Sequence, residues 1–195
     1  MENTVNQHIK EEIENAIKVI KDGGVILYPT DTIWGLGCDP NNDKAIKKIL
    51  QIKRRTETKS LIILMCDIES VSKYVENPNP IALELYRQWN KALTIVFPRA
   101  KGISKMVMNN DNTLGIRITK ESFTTQLIKS LGHPVVSTSA NLSGQPSPVS
   151  YKTISNEIKE SVDYIVDYRR DSFTEMKPST IIRINDNGSF EVLRP

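Results

Sequence analysis

Gly23-Gly24-Val25-Ile26-Leu27-Tyr28-Pro29-Thr30-Asp31-Thr32-Ile33-Trp34-Gly35-Leu36-Gly37 is the stretch from which the fold is read. Val25 to Tyr28 is a short apolar run, expected as a buried strand that stops at Pro29. A polar loop follows it, rich in hydroxyls and ending in two closely spaced glycines. Upstream, Ile9, Ile13, Ile17 and Ile20 recur at helical spacing, with Glu11, Glu12, Glu14 and Lys18 between them. This predicts an amphipathic helix that stops at Asp22-Gly23-Gly24, where glycine suits a left-handed C-terminal residue.

The same alternation continues downstream. Asn41-Asn42-Asp43 offers caps for a helix whose stripe is Ala45, Ile46, Ile49 and Leu50. A strand is expected at 61–65, then a short helix capped by Asp67 and carrying Val71, Tyr74 and Val75. Pro78 and Pro80 open a helix to about Trp89. Strands at 93–97 and 114–118, a helix over 122–131 closed by Gly132, and a strand at 135–138 come next. A helix near 153–160 and strands near 164–166, 180–184 and 190–193 complete the chain. Asn185-Asp186-Asn187-Gly188 is a strong hairpin signal between the last two. No repeat and no Pro/Gly/Ser linker interrupts this order, so the expectation is one α/β domain over residues 1–195, built on a mixed sheet. The terminal hairpin argues against a purely parallel one.

Composition narrows the class. The 195 residues carry a net charge of +3, with 25% charged and 38% hydrophobic residues. This is ordinary globular usage, which excludes a disordered tail protein, a fibre and a polycation. Cys38 and Cys66 show no CxxC spacing, so neither a disulfide framework nor a zinc site is expected, and both read as small buried hydrophobes. No apolar run approaches membrane length, and residues 1–6 lack the features of a signal peptide. A cytoplasmic protein with no membrane partner is the expectation.

Three polar segments hold the candidate chemistry: 29–37, 113–117 and 137–144. Two of them follow the carboxyl ends of strands, where open α/β sheets bind ligands. Each taken alone reads equally as turns and caps. Lys44 to Lys59 is more telling, with seven cations (Lys44, Lys47, Lys48, Lys53, Arg54, Arg55, Lys59) against Glu57, a net of +6 in sixteen residues. Lys44, Lys47 and Lys48 suit a solvated helix face. Lys53, Arg55 and Lys59 sit between a helix and a strand, where they can converge on one anion, a nucleotide phosphate or an RNA backbone. There is no P-loop, Gly35-Leu36-Gly37 is too short for a dinucleotide fingerprint, and His8 and His133 stand apart, so a catalytic triad is not expected.

Together these residues resemble the YrdC-like family. The stretch 23–37 is similar to its opening motif, Lys53-Arg54-Arg55 to its KxR element, and Ser139-Ala140-Asn141-Leu142-Ser143-Gly144 to its SxN stretch. The likeness runs from about Ile9 to Arg194, with the pieces in order. It implies the YrdC-like fold, a twisted mixed sheet flanked by helices around a basic concavity, in the short single-domain form. It also implies an L-threonylcarbamoyladenylate synthase, a nucleotidyltransferase taking L-threonine, bicarbonate and ATP. The product would go to threonylcarbamoyl-transferase proteins that modify the tRNA adenosine beside the anticodon.

By motif position, the resemblance implies that Thr32, Arg117 and Ser137 hold L-threonine. Arg55, Lys59, Thr113, Ser139, Ser147 and Arg194 would hold ATP, and Lys53, Arg55, Ser139 and Asn141 form the catalytic set. Mg²⁺ is expected on the triphosphate for charge reasons, with no resident metal site; Asp31 is the nearest candidate ligand but equally a turn cap. Leu64 or Trp34 would supply an apolar wall for the threonine methyl. Thr56 and Ser60 stand where the family usually has prolines. The rival reading is a non-enzymatic double-stranded RNA or tRNA-binding module of the same fold, YciO-like. Such proteins tend to lose the KxR and SxN residues that are present here.

Overall fold

An N-terminal helix, α1 (Glu2–Lys21), passes through Gly23 at φ +81° into β1 (Ile26–Tyr28). The computed structural model describes residues 2–55, 61–171, 177–185 and 187–195. After β1 come β2 (Gly35–Cys38), α2 (Asp43–Ile52), β3 (Ile62–Met65), α3 (Pro80–Gln88), β4 (Leu93–Phe97) and β5 (Leu114–Ile118). Then follow α4 (Ser122–Leu131), β6 (Val135–Ser139), α5 (Asn156–Ser161), β7 (Tyr164–Ile165), β8 (Thr180–Ile184) and β9 (Phe190–Arg194). The strands form one mixed sheet in the order β7-β1-β2-β6-β3-β5-β4-β8-β9. The terminal pair β8–β9 is antiparallel, as the turn chemistry of 185–188 predicts.

Capping residues fix the helix starts. Asn42 accepts from Ala45 N, Asn79 accepts from Ile81 N with Pro80 in the first turn, and Glu121 accepts from Phe123 N and Thr124 N. Two expectations shift. The short helix expected after Asp67 is a 3₁₀ turn over residues 69–73, with Asp67 accepting from Ser70 N at 2.7 Å. The helix expected near 153–160 splits into a 3₁₀ turn at Tyr151–Thr153 and α5, because Ser150 and Thr153 cap one and Ser155 caps the other. Cys38 is buried as expected, while Cys66 is half-exposed and donates to Asp67 at 3.4 Å.

The expectation that 29–37 is all loop is corrected. Gly35–Cys38 is a strand near the middle of the sheet, antiparallel to β1 on one side and to β6 on the other. Its glycines hid it, since glycine weakens a strand reading. Gly37 is required by close packing: a Cβ there would stand 2.7 Å from Tyr28 Cε1 and 3.1 Å from Val136 O.

Side-chain alternation along the strands gives the sheet two faces. One is mainly apolar, with Leu27, Leu36, Ile63, Ile95, Ile116 and Val136 packed under α2, α3 and α5. The other is covered only in part. α1 and α4 bring Ile13, Ala16, Ile20, Phe123, Leu127 and Leu131 onto Ile26, Tyr28, Leu64 and Val135. Each such side chain contributes roughly 1.5–3 kcal/mol when fully buried. Beyond α1 and α4 the same face is left open, and the strands there carry Gly35, Thr94, Gly115, Arg117, Ser137 and Arg183 instead.

Candidate functional site

The open part of that face is the floor of a cavity of about 640 Å³. This is ample for a nucleotide with a small co-substrate, since ligand sites span roughly 300–1,000 Å³. Among the described residues Lys53, Arg55, Arg117, Arg183 and Arg194 line it, against one carboxylate, Asp111. A wall so biased toward cations is matched to an anionic ligand.

Arg117 stands on β5 and is only 5% exposed. Its Nη1 donates to Thr32 Oγ1 at 3.0 Å and its Nη2 to Thr30 Oγ1 at 3.4 Å. Thr30 also donates to Ile33 O at 2.8 Å and accepts from Thr32 N at 3.0 Å, so the loop after β1 is braced by one hydroxyl. Asp31 Oδ1 lies 3.2 Å from Arg117 Nη2. The loop thus holds the guanidinium by its outer nitrogens, and the buried Nε has no hydrogen-bond partner among the described residues. Ser137, in register between Gly37 of β2 and Ile62 of β3, lines the same wall with Trp34. Leu64 does not: its side chain packs with Tyr28 and Phe123 under α4, and Leu61 and Ile62 are the aliphatic residues at the cavity.

The KxR element acts through a local reversal. α2 ends at Ile52, Lys53 is right-handed, and Arg54 takes φ +51°, which sends neighbouring side chains in opposite directions. Arg54 turns outward to Glu157 Oε1 at 2.7 Å, while Lys53 turns inward and is 1% exposed. The Lys53 Nζ donates to Ser139 O at 2.5 Å and Asn141 O at 2.8 Å, and Ser143 N donates back to Lys53 O at 3.0 Å. Lys53 therefore staples the SxN loop to the end of α2. Burial first, then the Arg55 cation, pulls its ammonium down to about 8. Arg55, Ser139, Asn141 and Ser147 all line the cavity. Asn141 Nδ2 donates to Leu142 O at 3.0 Å and Gln145 O at 2.6 Å, shaping the loop from within.

Arg194 reaches the cavity from β9, held by Nε to Ser179 O at 2.9 Å and Nη2 to Ser179 Oγ at 3.3 Å. Burial and the Arg117 charge lower its pKa from the usual arginine value. Thr113 stands behind the wall: its Oγ1 donates to Asp111 Oδ1 at 2.7 Å and accepts from Asn109 Nδ2 at 2.8 Å. Lys59, like Thr56 and Ser60, lies outside the described residues. Reading the sequence missed Asn109, Asn110, Asp111 and Arg183, where Arg183 Nη2 lies 3.1 Å from Asp111 Oδ2. These residues belong to no motif, and only the β4–β8 pairing brings Arg183 to the site.

The basic run at 44–59 is less of a patch than its charge suggests. Lys48 pairs with Asp163 at 2.6 Å, Arg54 with Glu157, and Lys53 is consumed by carbonyls. Among the described residues no three His, Cys, Asp or Glu side chains are grouped to hold a metal ion, and no helix is long and apolar enough to cross a membrane.

Comparison with known proteins agrees with this picture. Residues 18–195 match the Sua5/YciO/YrdC family profile, described as telomere recombination. The threonylcarbamoyl-AMP synthase of Pseudoalteromonas translucida (strain TAC 125) is 37% identical over 172 residues, 87% of this chain and 91% of that one. The enzyme of that name from Idiomarina loihiensis is 35% identical over 161 residues, 80% of this chain and 84% of its own. P. abyssi Sua5 complexed with L-threonine superposes with a TM-score of 0.82 at 26% identity over 94% of this chain, which spans 53% of that longer one. E. coli YciO superposes with a TM-score of 0.80 at 26% identity, over 93% of this chain and 87% of its own. With the expected motifs gathered on one cavity and the match running through nearly the whole sequence, the chain belongs to the Sua5/YciO/YrdC family.

Proposed function

We propose that this chain is a threonylcarbamoyl-AMP synthase, with residues 1–195 working as one domain. The threonine amine attacks CO2 derived from bicarbonate to give a carbamate. A carbamate oxygen then displaces pyrophosphate at the α-phosphate of ATP. The observation that carries this is one cavity in which Arg117 and Thr32, fit for an amino acid, share a wall with Arg55 and Arg194, fit for a polyphosphate. No covalent nucleophile is required. Holding the reactants together and placing cations where phosphoryl charge develops supply the catalysis. The shared name of the relatives and the L-threonine complex of P. abyssi Sua5 support this reading over the RNA-binding one.

In this proposal Thr32, Arg117 and Ser137 take L-threonine. Arg55, Ser139, Ser147 and Arg194 take ATP, together with Lys59, and Thr113 sets the Asn109–Asp111 rim. Lys53 and Asn141 shape the loop that bears Ser139. Mg²⁺ enters with the triphosphate as part of the substrate, held by phosphate oxygens and water, which suits a wall of cations whose one carboxylate among the described residues is paired. The product passes to a threonylcarbamoyl-transferase acting on tRNA, in the cytoplasm.

The test is pyrophosphate release from ATP with each substrate omitted in turn. The expected result is release only when L-threonine and bicarbonate are both present, and equal release without threonine sinks the proposal. RNA binding with a steep salt dependence and no ATP turnover is the outcome that favours the rival.

Amino-acid choice gives a second measurement. Arg117 reads the carboxylate, hydroxyls read the hydroxyl or amine, and Trp34 and Ile62 offer the apolar surface that the methyl needs. Losing one methyl in an apolar pocket makes serine roughly 10- to 200-fold less efficient than threonine. Valine keeps the volume but strands a buried hydroxyl partner, so it ranks below serine. Valine outperforming serine would show that the pocket reads shape alone.

A further inference from the structure

The cavity wall is not uniform in its chemistry. Where Arg55 and Arg194 supply cations, the rim at 109–111 supplies two amides, Asn109 and Asn110, and the carboxylate of Asp111 beside Arg183. Arg183 stands on β8 in register with Val96 of β4, which is itself opposite Gly115 of β5, and all three line the cavity. Its Nη2 lies 3.1 Å from Asp111 Oδ2, so the two charges offset each other. A polyphosphate gains little from such a pair and is repelled by its carboxylate. This end suits a neutral part of a substrate that carries hydrogen-bond donors.

Thr113, which the family likeness assigns to ATP, is buried behind this rim. Its hydroxyl donates to Asp111 Oδ1 at 2.7 Å and accepts from Asn109 Nδ2 at 2.8 Å, and its backbone N also donates to Asp111 Oδ1 at 3.3 Å. No donor of Thr113 is left for a phosphate; what the residue does is fix Asp111. A carboxylate has about four lone-pair sites. Thr113 occupies two on Oδ1 and Arg183 one on Oδ2, which leaves a site on Oδ2. The Thr113 hydroxyl first, with Arg183 adding to it, holds the Asp111 carboxyl below the usual aspartate range against its partial burial. At neutral pH the group is therefore an acceptor only, and its side chain is 47% exposed, open to a ligand.

The donors on ATP all lie in its nucleoside: the ribose hydroxyls and the adenine amine. Asn109 and Asn110 carry donors and acceptors together, which matches the edge of a base and leaves the carboxylate for the sugar. The ammonium of L-threonine is out of reach when its carboxylate sits at Arg117. Leu114 to Arg117 alone spans about 10 Å of strand, and Asp111 precedes Leu114. We infer that Asp111 is a specificity-determining residue of the nucleotide site, accepting a ribose hydroxyl of ATP on Oδ2, and that Thr113 acts on ATP through Asp111. This rests on the reading of the cavity as an ATP site.

Full chains of wild type, Asp111→Asn, Thr113→Val, Thr113→Ser and the double variant Asp111→Asn/Thr113→Val are titrated calorimetrically with ATP, 2′-deoxy-ATP, 3′-deoxy-ATP and inosine triphosphate. Wild type is expected to bind at least one deoxynucleotide roughly 10- to 100-fold more weakly than ATP, the range for a hydrogen bond to a charged group. Asp111→Asn should weaken ATP to about that level and abolish the difference. Thr113→Val should show the same pattern at roughly 3- to 10-fold, Thr113→Ser should restore it, and the valine should add less than about twofold to Asp111→Asn. The pair of Thr113 variants repeats the test with the carboxylate untouched. Equal binding of ATP and both deoxynucleotides by wild type overturns the inference. So does an equal weakening of every nucleotide by Asp111→Asn, or a discrimination against inosine triphosphate that Asp111→Asn abolishes while the deoxynucleotide difference survives. A full additional loss in the double variant shows that Thr113 meets the nucleotide itself and overturns its role. No binding of ATP to wild type overturns the nucleotide reading beneath the inference, while ATP binding without dependence on the ribose overturns only the role of Asp111.

Discussion

Arg117→Met is expected to lower kcat/KM for L-threonine by about 1,000-fold, the largest loss of any single substitution in the cavity. The guanidinium is 5% exposed and its outer nitrogens are already bound by Thr32 and Thr30. What it offers a ligand is a cation on the cavity wall, pre-oriented by those bonds. A charge-assisted fork held this way contributes more than a mobile surface cation could. Methionine also strands Asp31, whose carboxylate lies 3.2 Å from Arg117 Nη2, so some of the loss could come through folding. The double variant Arg117→Met with Asp31→Asn separates the two effects: it should regain most of the thermal stability and none of the threonine turnover. Recovery of turnover would mean that Arg117 serves to neutralise Asp31 and not to hold substrate. Arg117→Lys should remain at least about tenfold impaired, because an ammonium cannot replace a planar fork.

The sequence exposed the fold wherever a signal was local. Strands 93–97 and 114–118 and the helix 122–131 stand where apolar runs, caps and Gly132 put them. Gly35–Cys38 was missed because its pattern depends on neighbours: glycines become good strand residues only when Tyr28 and the β6 backbone crowd them. The same division holds for the site. Thr32, Lys53, Arg117 and Asn141 lie in or beside motifs, and the cavity brings them together. Asp111 and Arg183 lie 72 positions apart and meet only through the pairing of β4 with β5 and β8, which no local pattern announces. Leu64 shows the converse. The family likeness put it at the threonine methyl, but only the position of α4 decides whether that face of the sheet is open or covered there.

Lys53→Met is the second large effect, and it tests whether the first cation of the KxR element touches substrate or shapes the loop. Its ammonium holds Ser139 O at 2.5 Å and Asn141 O at 2.8 Å, and the loop so pinned carries Ser139, Asn141 and Ser147 to the cavity. Without it, two carbonyls lose their donor, at about 1–3 kcal/mol each. Against this, methionine removes a buried charge whose pKa has fallen from 10.5 to about 8, a shift of about 3 kcal/mol in the other direction. The balance is a destabilisation of at most about 3 kcal/mol at pH 7, while a loop displaced by an ångström lowers turnover about 100-fold. The pH dependence carries a definite sign. Folded chains release the Lys53 proton near pH 8 and unfolded chains near 10.5, so between these values the unfolded state binds more protons. Stability contributed by Lys53 therefore rises with pH across that window, and below pH 8 the depressed pKa is a constant cost. Denaturant titrations of wild type and Lys53→Met between pH 7 and 10 should show the gap between them widening as pH increases. A gap that stays flat, or narrows, would place the Lys53 proton elsewhere and remove the argument for a buried staple.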